Sequence, residues 1–181
     1  MIVFMKNIIL SISFISLFTF CSNKQNEKEA SKADDTIQKI EVTTDYQTLF
    51  KTFTKNDNVL YVVNYWATWC KPCVEELPHF MEINEEMNTN NNFKMILVSL
   101  DKANDMETEL KPFIANNNIP TDVYLLSDNK RMSEWIPLVN KNWSGAIPAT
   151  AIYKNGKQVA FTEGELSKTE LKELINQHTI N

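Results

Sequence analysis

The chain has 181 residues, 43% of them hydrophobic, and a formal net charge of −5. That length carries one domain with a substantial core rather than two, and the apolar share sets it apart from disordered chains. An acidic chain with no basic stripe is a poor partner for nucleic acid, and three glycines leave almost no material for a glycine-rich phosphate loop.

Residues 1–20 read as a signal segment, in which Lys6 supplies a basic start and Asn7 to Phe20 form an apolar stretch that stops at Cys21. About 13 apolar-biased residues suit a signal better than a membrane span, which needs about 20. A cysteine at the end of such a segment resembles the lipid attachment site of bacterial lipoproteins. The resemblance implies a mature chain beginning at an acylated Cys21, although Phe20 stands where those signals have a small residue. An uncleaved membrane anchor and ordinary secretion are the alternatives. All three place the domain outside the cytoplasm, on the periplasmic side of the cell envelope. Residues 21–35 lack apolar anchors and read as a lipidated or disordered tether, with an exposed helix as the other reading. The folded domain is expected over residues 36–181.

Within it, Thr36 to Thr43 suits a short edge strand. Asp45 is placed to cap a helix whose Tyr46, Leu49, Phe50 and Phe53 share one face. Val59 to Trp66 is a nearly continuous apolar run, as a buried parallel strand requires. Cys70 and Cys73 follow it and lead into a helix with Val74, Leu77, Phe80, Met81 and Met87 inward and Pro78 inside. Asn88 to Asn92 ends that helix, and Phe93 to Leu100 forms a second buried strand. Asp105 is expected to cap a further helix with Met106, Leu110, Phe113 and Ile114 inward. Asp122 to Leu126 is a short strand, and Lys130 to Val139 a helical turn or irregular segment. Ala149 to Phe161 spells a hairpin around Asn155-Gly156, a pair that tolerates the positive φ of a type I′ turn. Ser167-Lys168-Thr169-Glu170 is a capping box for a last helix, with Leu166 and Leu171 as its hydrophobic staple. Alternating strands and helices followed by a hairpin and a terminal helix define an α/β class, a mixed sheet with helices on both faces.

With Cys21 taken up by lipid or signal, Cys70 and Cys73 are the cysteines left to the folded domain. A pair two residues apart closes a tiny loop and adds little stability, so its purpose reads as chemical rather than structural. At the first turn of a helix, amide dipoles favour the Cys70 thiolate, and Cys73, one turn on and more buried, can attack a mixed disulfide formed there. Pro72 costs nothing at that position, because early helical amides have no acceptors. Other readings compete. A zinc site needs two more ligands, and only the distant His79 and His178 remain. Haem attachment needs histidine where Val74 stands. An inert buried pair is the bland reading.

Asn64-Tyr65-Trp66-Ala67-Thr68-Trp69-Cys70-Lys71-Pro72-Cys73-Val74-Glu75-Glu76-Leu77-Pro78 is similar to the active-site stretch of thioredoxin-like proteins of the TlpA/ResA branch, membrane-anchored extracytoplasmic thiol–disulfide oxidoreductases. The likeness runs from about Thr43 to Gln177. It implies a thioredoxin-like mixed β-sheet flanked by helices, with an N-terminal extension and a central insertion. Trp143 to Thr150 resembles the loop that carries a cis-proline beside the dithiol in that family. This implies a cis bond between Ile147 and Pro148, a backbone edge for substrate, and a dithiol kept free of metal. Glu76 matches the acidic residue this branch uses to accept a thiol proton, against the bland reading of a solvated helix glutamate. Trp69 is expected to contact substrate, and Trp66 and Trp143 to pack. Lys71 is either a thiolate partner or simply solvated.

The function expected is therefore reduction of protein disulfides by a Cys-Lys-Pro-Cys dithiol, without a further cofactor or metal. Cys70 would be the nucleophile, Cys73 the resolving thiol, Glu76 the proton acceptor, and Trp69, Ile147 and Pro148 the substrate contacts. The resemblance also implies a membrane electron donor of the DsbD/CcdA type and substrates such as the haem-binding cysteines of apocytochrome c. A thioredoxin-fold binding module with idle cysteines and a thiol peroxidase are the alternatives. For the peroxidase, Thr68-Trp69-Cys70 lacks the usual spacing.

Overall fold

The strand that leads to the dithiol decides the architecture. In the computed structural model, residues 40–89 and 91–179 are described, and they fall in the unit Ile37–Asn181. The signal segment, Cys21 and the tether lie outside the described residues. Strand β2 (Leu60–Trp66) is buried at all seven positions, which its unbroken run of large side chains demands. It pairs parallel with β3 (Phe93–Ser99) and antiparallel with β5 (Ala149–Lys154). Strands β1 (Ile40–Thr43), β4 (Asp122–Leu126) and β6 (Lys157–Glu163) complete a six-stranded sheet in the order β1-β4-β3-β2-β5-β6.

Alternation along β2 sorts the helices. Tyr61, Val63 and Tyr65 face one layer with α1 (Tyr46–Phe53) and α4 (Met132–Val139), where Trp135, Trp143 and Tyr153 add aromatic bulk. Leu60, Val62 and Trp66 face the other layer, built from α2 (Lys71–Met87), α3 (Lys111–Asn116) and α5 (Lys168–Thr179). The result is the thioredoxin-like mixed sheet flanked by helices, with α3, β4 and α4 inserted between β3 and the closing hairpin. None of the described helices is long and apolar enough to cross a membrane.

Local chemistry explains the element ends. Asp45 caps α1, its carboxylate accepting from the Gln47 and Thr48 amides. Asn155 and Gly156 both take positive φ in the hairpin turn, where Gly156 also comes close to the Thr54 carbonyl. The Ser167 hydroxyl accepts from the Glu170 amide, and Glu170 returns a bond from the Ser167 amide at 2.9 Å. Leu166 and Leu171 pack together beneath that box. Ser167→Ala is expected to lower stability by about 1 kcal/mol, read as a shift in the urea midpoint.

Three expectations change. Asp105 makes no capping bond through its side chain; a 3₁₀ turn (Ala103–Asp105) runs into a π-helical turn (Met106–Leu110) before α3. Pro112 is the reason. It has no N–H to give the Thr108 carbonyl four residues back, and the wider turn, in which the Lys111 amide reaches the Met106 carbonyl, moves acceptors to donors five residues on. The segment expected as a helical turn or irregular is helical throughout, a 3₁₀ turn (Asn129–Arg131) running into a helix from Met132 to Val139, anchored by the Trp135 indole, which donates to the Asp128 carbonyl at 3.0 Å. The inward face of α2 keeps Leu77 and Phe80 as expected but is wider than apolar spacing suggests. Ile83 is fully buried and Val74 and Met81 flank it, because Glu76 and Asn84 occupy buried positions that apolar periodicity does not register.

Candidate active site

Helix α2 begins at the end of β2, so its first turn stands where parallel strands release their chains, the usual place for a site in an open α/β sheet. Cys70 is the N-cap. Its backbone is extended, and its sulfur accepts from the Cys73 amide at 3.4 Å. That amide has no partner within the helix, so it is available to a negatively charged sulfur. Cys73 is one turn along and 0% exposed, against 6% for Cys70, and the two sulfurs are joined as a disulfide. Both cysteines are buried, Cys70 at the helix end slightly less so than Cys73.

The loop between α4 and β5 supplies the opposite wall. The Ile147–Pro148 peptide bond is cis, and the Ile147 carbonyl oxygen lies 3.6 Å from Cys70 Sγ. Trp143 fixes this loop from beneath. It packs on Tyr65, Trp135 and Phe161, and its indole donates to the Ala146 carbonyl at 2.7 Å. Ser144 binds the Glu163 carboxylate through amide and hydroxyl, and the Gly164 amide takes the Pro148 carbonyl. Gly145 is in the left-handed region, and a Cβ there would press on Ile136 at 3.0 Å.

Trp69 is 66% exposed beside the disulfide, on the rim of an open groove of about 420 Å³ that continues over Thr68, Asp101, Glu109, Pro112 and Phe113. The Lys71 ammonium is exposed and paired with the Glu75 carboxylate, four residues on, at 2.9 Å. His79 lies on α2 and His178 near the end of α5, and no cluster of metal-ligating side chains forms among the described residues.

Glu76 is 0% exposed. One carboxylate oxygen accepts from Asn64 Nδ2 and the other from the Leu166 amide, each at 2.8 Å. Burial, only partly offset by these two bonds and reinforced by the charge of Glu165, pushes its pKa from 4.5 up to about 7. A carboxyl with that affinity exchanges protons readily at neutral pH.

Sequence reasoning passed over two residues of this site. Asn64 is the one amide inside the apolar run of β2, and that mismatch was the available signal. Asp101 follows β3 as Cys70 follows β2, so its place at a strand end pointed to the site. It is fully buried, and it accepts from the Thr68 amide and from the Thr68 and Ser99 hydroxyls. Those bonds hold the loop that presents Trp69 and Cys70. Asp101→Ala strands the Thr68 amide and is expected to cost about 3 kcal/mol, measured by urea unfolding.

A dithiol at a helix N-terminus, a cis-proline loop against its outer sulfur and a mixed sheet beneath define a thioredoxin-like protein. The chain belongs to the AhpC/TSA family, whose model matches residues 33–162. Among curated proteins it is similar to thiol-disulfide oxidoreductase ResA of Bacillus thuringiensis subsp. konkukian, 24% identical over 120 residues that cover 65% of this chain and 62% of the relative. It is also similar to sporulation thiol-disulfide oxidoreductase A of Bacillus subtilis, 23% identical over 113 residues, 62% of this chain and 64% of the relative. The chain thus spans a little under two thirds of the length of these relatives. Among solved structures, a thioredoxin-family thiol:disulfide interchange protein from Chlorobium tepidum matches with a TM-score of 0.56 and 18% identity, over 67% of this chain and 81% of the other. StoA from Bacillus subtilis matches with a TM-score of 0.52 and 22% identity, over 66% and 84%. At these identities the two structures establish the fold alone.

Proposed function

We propose that this chain is an extracytoplasmic thiol–disulfide oxidoreductase that reduces protein disulfides through Cys70-Lys71-Pro72-Cys73. The observation that carries the reading is the placement of Cys70 Sγ, which accepts the Cys73 amide of the helix end while facing the Ile147 carbonyl of the cis-proline loop. The names of the curated relatives support it.

In the reduced protein the Cys70 thiolate attacks one sulfur of a substrate disulfide. A mixed disulfide forms, and the other substrate sulfur leaves as a thiolate that takes a proton from solvent. Cys73 gives its proton to the Glu76 carboxylate and attacks Cys70 Sγ. The second substrate sulfur departs, and the Cys70–Cys73 disulfide remains. Two electrons have passed to the substrate, so a dithiol donor must return two; a membrane protein of the DsbD/CcdA type is the donor proposed. The substrate backbone runs along Ile147 and Pro148 as an added strand, with Trp69 covering the residues beside its cysteine. Lipid on Cys21 holds the domain at the membrane, and the haem-binding cysteines of apocytochrome c are one substrate class for a reductant so placed.

Reduction of insulin by the dithiol-regenerated protein tests the proposal. Turnover above the dithiol background is expected, and its absence while Cys70 alkylates readily sinks the reading. Hydrogen peroxide offered in the same assay separates a peroxidase, which would consume it in preference to insulin.

A further inference from the structure

Asn64 is fully buried in the middle of β2, opposite Thr150 of β5 in the antiparallel register. Its Nδ2 donates to Glu76 at 2.8 Å and to the Thr150 hydroxyl at 3.2 Å. Its Oδ1 has no hydrogen-bond partner among the described residues. A buried amide with one end doubly used and the other idle is costly, and a strand otherwise built of large apolar side chains would be expected to exclude it.

The two ends of the amide have the same shape and opposite hydrogen-bonding character. As placed, it suits an ionised Glu76, whose oxygens can only accept. Turned end over end, it suits a protonated one: Oδ1 then accepts from the carboxyl O–H and from the Thr150 hydroxyl, which can donate as well as accept. Each orientation makes two bonds and idles one atom. We propose that Asn64 is the positioning residue of Glu76, donating through Nδ2 to the carboxylate and, turned over, accepting through Oδ1 from the protonated carboxyl.

The proposal rests on the reading of Glu76 as the proton acceptor for Cys73. During the resolving step that carboxyl must take a proton and later release it, without leaving a new unpaired group in the core each time. An apolar residue at position 64 serves neither state, and a residue that only donates serves one. On the sheet side, Glu76 is bonded to Asn64 of β2 and, through it, linked to Thr150 of β5, neither of them ionisable. The connection before α5 contributes Glu165, whose charge opposes ionisation. The helix itself carries Cys73 one turn before and His79 one turn after.

The test uses the oxidised full-length protein, in which neither Cys70 nor Cys73 titrates. The carboxyl carbon of Glu76 and the side-chain nitrogen and protons of Asn64 are followed by NMR across neutral pH. The two sets of signals are expected to move together with one midpoint. In Asn64→Leu, the Glu76 midpoint is expected to rise by about one pH unit, because a hydrogen bond to the ionised group is roughly twice as strong as one to the neutral group. Asn64 signals that stay flat while Glu76 titrates overturn the proposal, and so does an unchanged Glu76 midpoint in folded Asn64→Leu. If that variant does not fold, the wild-type titration decides alone. This readout requires no turnover, so failure of insulin reduction in the wild-type protein counts against the enzymatic reading and leaves the Asn64 result to stand by itself.

Discussion

Replacing Cys70 by serine is expected to lower insulin reduction to the uncatalysed rate, whereas Cys73→Ser lets the first attack proceed and then stalls. The difference follows from position. In the proposed mechanism Cys70, which has the helix-end amide and is less deeply buried than Cys73, is the sulfur with access from outside, and a serine hydroxyl there stays protonated and cannot exchange with a disulfide. Cys73 has no such access, but it is one turn from Cys70 and is the thiol placed to release a trapped partner. Cys73→Ser protein exposed to oxidised substrate should therefore accumulate a mixed disulfide that runs as a heavier band on non-reducing gels and is lost on reduction. Equal rates for the two serine variants, or trapping by Cys70→Ser instead, would reverse the assignment of attacker and resolver. The same trapped species, isolated from the native envelope, identifies the physiological substrate.

The second large effect belongs to Glu76. Its pKa lies near 7 in the fold against 4.5 for an unperturbed glutamate, so the folded chain binds the proton more tightly than the unfolded chain does. Between pH 4.5 and about 7 the unfolded state ionises while the folded state stays protonated, and stability therefore falls as pH rises through that window. Above the window the full penalty is present, on the order of 3 kcal/mol for a shift of this size. Glu76→Gln removes the charge and keeps the shape. Its amide can accept from Leu166 and donate to a turned-over Asn64. The variant is expected to show a flatter stability profile across the window and a higher urea midpoint above it. Resolution of the mixed disulfide should slow by about a hundredfold at neutral pH, the low end of what a positioned base contributes. A variant that is less stable than wild type above neutral pH, or that resolves at the wild-type rate, would show that this carboxyl is structural.

Much of the architecture was legible because periodicity and punctuation agreed. The apolar run into Trp66, the Asp45 cap, the Asn155-Gly156 turn and the Ser167–Glu170 box are local signals, and each corresponds to an element where expected. From Asp105 to Asn116 the inward residues Met106, Leu110, Phe113 and Ile114 were legible, but the Asp105 cap and the helix type were not, because the missing amide of Pro112 changes the hydrogen-bond spacing and apolar spacing is blind to that. The site was legible to the extent that it is contiguous. Cys70, Cys73 and Trp69 sit in one stretch, and the Ile147–Pro148 loop was reached through a family likeness rather than through its composition. The partners of Glu76 come from two separate places, β2 and the turn before α5, with Thr150 of β5 bonded to the first of them, and their convergence depends on strand register and helix packing that no single segment encodes. Polar residues hidden in apolar segments were the underused clue. Asn64 and Asp101 break their local pattern, and each is bonded to a residue of the candidate site, Glu76 and Thr68 respectively.

The direction of the strands has a bearing on how the molecule is displayed. β1 runs parallel to β4, β4 to β3, and β3 to β2, so all four begin at one pole of the sheet and finish at the other. Cys70 caps the finishing pole, and Ile40, where the described chain enters the sheet, marks the starting one. Seven residues of β2 span about 23 Å at strand rise. The disulfide and the point where the described chain enters the sheet thus lie at opposite poles, with the length of the strands between them.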